Sequence, residues 1–137
     1  MQNYKIVIDT SVWISVIRNI QFAELTKIIR RKQITVFVCG ELMDELFDVL
    51  LRPKHYKKFN IQIDEFFNHI NLITTTLSIK QNRDFKDWHD ENDNFLFDLA
   101  IQSQADYLVT DDNDVLATPI NPPTKIISFT EFREMFF

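Results

Sequence analysis

Glycine is almost missing from this chain of 137 residues, where Gly40 stands alone. That excludes the Gly-rich loops that cradle phosphates: neither GxGxxG nor GxxxxGK[ST] occurs. No GxSxG occurs either, so a serine hydrolase built on a nucleophile elbow has no support. Cysteine is equally scarce. Cys39 is the single one, so no internal disulfide can form. It follows the apolar run Val36-Phe37-Val38 and reads as a buried structural thiol. The three histidines, His55, His69 and His89, lie in separate segments, none at zinc-ligand spacing from Cys39. No apolar run approaches the ~20 residues of a membrane span. Tyr4 and Lys5 lead directly into a short strand-like run, which leaves no signal peptide. A reduced, cytoplasmic location without membrane contact is the expectation.

What the chain has in quantity is apolar mass and acid. Hydrophobic residues make up 45% and there are 13 Phe, enough for one core with bulky aromatic packing. The length fits a single domain over residues 1–137. The net charge of -5 argues at first against a nucleic-acid partner, but its distribution is uneven. Residues 27–58 carry eight basic and four acidic side chains, whereas residues 84–114 carry ten acidic and one basic. Most such acids serve as solvated surface. A basic flank beside an acidic pocket nevertheless suits a polyanion held by Lys and Arg while cations occupy the carboxylates.

Strand and helix alternate along the chain. Tyr4 to Asp9 reads as a short buried strand. Thr10 or Ser11 can cap a helix through Val12–Ile17, and Phe22, Leu25, Ile28 and Ile29 follow helical spacing. Thr35 to Val38 is a β-branched strand. Glu41 to Arg52 is a helix that Pro53 stops. Residues 54–76 look helical again, with Thr74 to Ile79 a candidate third strand. Asp84 to Asn92 is a polar loop. Asn94 to Gln104 is a helix and Asp106 to Thr110 a strand. After the break at Asn121-Pro122-Pro123, Lys125 to Ser128 is a last strand and Thr130 to Phe137 a last helix. Such alternation predicts an α/β fold, a three-layer α/β/α arrangement around a central parallel sheet. No repeat or linker divides the chain.

Four carboxylates stand where one site could collect them: Asp9, Glu45, Asp93 and Asp112. Asp9 closes the run Ile6-Val7-Ile8, and Asp112 lies just past Tyr107-Leu108-Val109. Ligands of open α/β sheets bind at the carboxyl ends of strands. Each acid also has a plainer reading. Asp9 could cap a helix. Glu45 shares its helix with Glu41, Asp44 and Asp48, all of which could be solvated, although like charges four apart cost stability without a cation nearby. Asp93 begins a helix, where capping would explain it. Asp112 competes with Asp111 and Asp114 in a cluster that turn chemistry partly explains.

The segments IVIDTSVW, ELMDELFDVLLRPK, DENDNFLFDLAIQSQADYLVTDDNDVL and IISFTEF together resemble the PIN domain. The likeness is greatest to the VapC-like ribonuclease toxins of prokaryotic toxin–antitoxin systems, and it covers nearly the whole chain in order. It implies a metal-dependent endoribonuclease using Mg²⁺ or Mn²⁺, the toxin of a type II toxin–antitoxin system. The metal and catalytic acids would be Asp9, Glu45, Asp93 and Asp112, with Thr10, Ser11, Thr110 and Asp114 as accessory positions. It also implies an RNA substrate, a cognate antitoxin and a homodimer. Asp112 fits the family's Thr-x-Asp spacing after Thr110, while Asp111 remains a neighbouring competitor. The stretch Asn113 to Leu116 departs from the family, which often has a basic residue after the Asp.

Carboxylates, rather than His or Cys, suit hard cations, and such cations assist phosphodiester hydrolysis by activating water and clamping phosphate oxygens. RNA would enter over Arg30, Arg31, Lys32, Arg52 or Lys54, with Lys57 and Lys58 close by, although each of these also reads as ordinary solvated surface. A phospho-aspartate enzyme of the haloacid dehalogenase type needs a second Asp two residues after the first, where Ser11 stands. A receiver domain needs an acidic pair after the first strand, and Asp9 stands alone. A catalytically inactive PIN-like binding module is the remaining alternative.

Overall fold

The structure, a computed structural model, describes residues 3–80, 94–120 and 123–137. Five strands make one sheet among the described residues: β1 (Tyr4–Ile8), β2 (Ile34–Val38), β3 (Thr74–Thr76), β4 (Tyr107–Val109) and β5 (Lys125–Ile127). Their order across the sheet is β3-β2-β1-β4-β5, and every pairing is parallel. Between them run α1 (Thr10–Arg18), α2 (Phe22–Arg31), α3 (Gly40–Leu50), α4 (Pro53–Ile73), α5 (Asn94–Gln102) and α6 (Asn113–Leu116), and α7 (Phe129–Phe136) follows β5. The fold is the three-layer α/β/α arrangement that the alternation predicts. The right-handed rule for parallel crossovers assigns α1–α4 to one face and α5 and α6 to the other.

The sequence explains the layering. Ile6, Val7 and Ile8 are all buried, because β1 is central and covered on both faces. A strand in that position needs an unbroken apolar run rather than alternation. Two aromatic groups account for much of the phenylalanine. Phe66 of α4 meets Trp13 of α1 at 5.5 Å and Phe22 of α2 at 5.4 Å between ring centroids. Phe67 stacks on Phe47 of α3 at 4.4 Å. On the other side, Phe136 of α7 packs against Tyr4 and Phe132. Ring pairs of this kind add about 0.5–1.5 kcal/mol each beyond the area they bury. Cys39 is buried as expected, and burial pushes its thiol up to about 11. No described helix is long and apolar enough to cross a membrane.

Some boundaries differ from the sequence reading, each for a local reason. α1 begins at Thr10, so Asp9 and not Thr10 or Ser11 occupies the capping position. Pro53 ends α3 as expected, yet it also opens α4 as its first residue, where a missing N–H costs nothing. β3 stops at Thr76, with one further strand-like bond from the Leu77 amide to the Val38 carbonyl. α7 starts at Phe129 because Ser128 and Glu131 form a reciprocal capping box. α6 is a single turn that no periodicity announced. The polar loop over Asp84 to Asn92 lies outside the described residues.

Candidate functional site

The chain moves from β1 outward to β2 and β3, then crosses back to β4 on the other side of β1. The strand order therefore reverses between β1 and β4, and a crevice opens at their carboxyl ends. Asp9 leaves β1 there and Thr110, Asp111 and Asp112 leave β4. The Asp9 amide donates to the Val109 carbonyl at 2.9 Å and the Thr110 amide to the Ile127 carbonyl at 2.9 Å. These bonds extend the sheet one residue past its strands and fix both segments rigidly.

Thr110 joins the two acids. Its hydroxyl donates to Asp9 Oδ2 at 2.7 Å, and its Oγ1 accepts from the Asp112 amide at 3.1 Å. Asp112 in turn occupies the capping position of α6, where its Oδ1 accepts from the Asp114 amide at 2.9 Å. Asp111 points to different work: its Oδ1 accepts from the Phe129 amide at 3.0 Å, at the start of α7. The neighbouring acids thus divide, Asp112 tied through its amide to the Thr110 hydroxyl that bonds Asp9, and Asp111 tied to a helix end.

Asp9 is only 8% exposed. Its pKa is raised above the ordinary value of 3.8, chiefly by burial. The Thr110 hydroxyl and the Thr10 amide pull it down, and the charges of Asp112 and then Asp111 push it up. A desolvated carboxylate beside further carboxylates is costly unless a cation or proton joins it. Thr10 adds an unused oxygen, since its hydroxyl is buried with no hydrogen-bond partner among the described residues. These are hard oxygen donors, the set that Mg²⁺ or Mn²⁺ takes, so the residues present fit such an ion.

The other candidates stand as follows. Glu45 is half-buried in the second turn of α3, and α3 packs against α1 and α5. Asp93 directly precedes α5 and lies outside the described residues. Among the described residues, no three His, Cys, Asp or Glu side chains gather closely enough to hold a metal ion; Asp9 and Asp112 form a linked pair. Ser11 is exposed and Asp114 is exposed in the first turn of α6. Arg30, Arg31 and Lys32 finish α2 and immediately precede β2. They therefore sit at the amino end of the strands, roughly 16 Å from the Asp9 end for a strand of five residues. Arg52 pairs with Asp48 at 3.0 Å on the surface, a contact of little energetic weight, and Lys54 is exposed in the first turn of α4.

Sequence reasoning passed over Asp98, an acid of α5 that is 1% exposed. Its signal was an Asp set among Phe95, Leu96, Phe97, Leu99 and Ala100, a stretch read only for its apolar residues. It also ranked Thr110 as accessory without seeing that its hydroxyl links two acids.

The bridge gives a direct test. Thr110→Val keeps the shape but removes a donor from Asp9 and an acceptor from Asp112. We expect a further rise of the Asp9 pKa and a loss of about 1–3 kcal/mol in stability. In any metal-dependent activity we expect a loss of roughly 10–100-fold, the range for groups that orient ligands. Denaturant melts and a titration of Asp9 by NMR check the first two effects. A Thr110→Val protein as stable as wild type, with an unmoved Asp9, would show the bridge to be idle.

Acids at the switch point of a parallel sheet define a class, the α/β proteins that bind ligand or ion outside the carboxyl ends of their strands. A family model for the PIN domain matches residues 5–114, and the chain belongs to the PIN-domain family. No curated protein matches it. PIN domains are generally metal-dependent nucleases.

Proposed function

We propose that this protein is a metal-dependent endoribonuclease acting as the toxin of a type II toxin–antitoxin system. The observation that supports it most is the buried Asp9 carboxylate, held through Thr110 beside Asp112 at the switch point of a PIN-family sheet. Asp9 and Asp112 would hold Mg²⁺ or Mn²⁺, with Glu45 reaching in from α3 and Asp93 from the start of α5. Such an ion supplies charge for the phosphate oxygens and lowers the pKa of a bound water. The chain's part is positional. Thr110 holds both acids in place, burial of Asp9 keeps water away from one side, and the rigid strand ends keep the donors in register. Asp114 fixes Asp112 through its amide. A cognate antitoxin and a second copy of this chain are the partners proposed, and the cytoplasm the location.

An inactive PIN-like module is the second reading. A cellular experiment separates the two. Inducing the protein alone in a bacterial host should arrest growth, and Glu45→Gln should restore it at equal protein level. Glu45 comes from a different helix than the other acids, so it tests the folded set rather than a local motif. Unimpaired growth with wild type, or arrest that survives Glu45→Gln, contradicts the toxin reading.

A further inference from the structure

A groove of about 390 Å³ runs along the outer side of α1, lined by Ser11, Ile14, Ser15, Arg18, Asn19 and Phe59. Ser11, at one end of the groove, lies two residues beyond Asp9 in the first turn of α1. From there it follows α1 to Arg18 and Asn19, a distance of roughly 12 Å at 1.5 Å per residue. The far end is formed by α4, which loses helical geometry at Phe59 (φ -124°, ψ 26°). Two cations face that ring. Arg18 Cζ stands 5.5 Å and Lys58 Nζ 5.4 Å from its centroid.

We infer that this groove is a subsite for single-stranded RNA, seating a base at Phe59 and the adjoining phosphates on Arg18 and Lys58. The occupant rests on the nuclease reading; the chemistry rests on the groove. None of its lining residues is acidic. Arg18 and Lys58 are exposed and form no ion pair among the described residues, so their charge is available. An aromatic ring flanked by cations matches the pattern of single-strand binding, stacking for the base and Lys or Arg for the backbone. A base that replaces one cation on the ring leaves that cation for a phosphate. Ser15 and Asn19, hydrogen-bonded to each other at 3.2 Å, add polar groups along the floor. An acidic peptide would engage the cations but gain nothing from the ring. The groove starts at the same end of α1 as Asp9, whereas Arg30, Arg31 and Lys32 lie at the opposite end of the strands.

Fluorescence anisotropy with a labelled single-stranded oligoribonucleotide tests this in EDTA, where binding is read without cleavage. Arg18→Gln and Lys58→Gln should each weaken binding and lower the slope of log affinity against log salt by about 0.7, the value for one phosphate contact on a single strand. Phe59→Leu should weaken binding roughly 5- to 150-fold, the range for a lost stacked base, while Phe59→Tyr should stay close to wild type. Phe59 is half-buried, and if Phe59→Leu does not fold, the two exposed cations still decide the matter. The triple change Arg30→Ala, Arg31→Ala, Lys32→Ala should bind like wild type. Wild-type affinity and salt slope in Arg18→Gln and Lys58→Gln would overturn the subsite. RNA cleavage assayed separately keeps the readings distinct: lost binding with no cleavage by wild type would sink the nuclease and spare the groove.

Discussion

Asp9→Asn should abolish metal-dependent RNA cleavage and, at the same time, make the metal-free protein more stable. The two effects have one cause. Burial raises the Asp9 pKa above 3.8, so the folded chain holds this proton more tightly than the unfolded chain does. Above the folded-state pKa the charge is a full cost to folding. Below the ordinary value both states are protonated and the cost is gone. The substitution removes the charge while an Asn oxygen can still accept from the Thr110 hydroxyl. In EDTA the variant should melt higher than wild type at neutral pH, by about 4 °C for each kcal/mol relieved in a chain of this size. The gain should shrink as pH falls through the folded-state pKa towards about 4. Activity should drop by at least ~100-fold, since Asp9 as the proposed direct ligand matters more than the outer groups that orient ligands. Melts across pH with cleavage assays read both. A variant that melts lower than wild type at neutral pH would mean that Asp9 already has its counter-charge without metal.

The second large effect separates two adjacent acids. Asp112→Asn should reduce cleavage by ~100-fold or more with little loss of stability, because an Asn oxygen can still cap α6. Asp111→Ala should do the reverse. It leaves the Phe129 amide at the start of α7 without its acceptor, a loss of about 1 kcal/mol of the kind seen for helix caps, with activity within a few-fold of wild type. Paired denaturation and rate measurements on the two variants decide the assignment. Equal rates, or a greater fall in rate for Asp111→Ala, would reverse the roles.

How much of this was legible in the sequence depended on range. β1 and β2 could be read because central parallel strands need continuous apolar runs, and α3 because Leu42, Leu46 and Leu50 recur at helical spacing. Asp9 could be read because a carboxylate after three buried residues stands out. Its bond to Thr110 could not, since the partners are 101 residues apart and nothing local signals the pairing. The Thr-x-Asp spacing already favoured Asp112 over Asp111, but the bond that Asp111 makes instead needed the position of α7. α6 escaped notice because one turn held by an Asp cap has no period to detect. The break at Phe59 escaped for the opposite reason, since helical spacing on either side carries across it. The Arg30-Arg31-Lys32 cluster was visible as charge, but charge counted along a chain says nothing about which end of a sheet it occupies. Asp93 was legible as a family-matching acid just before α5, and it lies outside the described residues.

The central claim is that these acids hold a divalent cation that RNA cleavage requires. The most direct measurement follows cleavage of a single-stranded RNA by the purified wild-type protein, first in excess EDTA and then as Mn²⁺ is titrated back, with Asp9→Asn alongside. The account predicts no cleavage in EDTA, restoration by Mn²⁺ for wild type and none for Asp9→Asn. Cleavage that persists in EDTA, or that Mn²⁺ restores equally in both proteins, would contradict it.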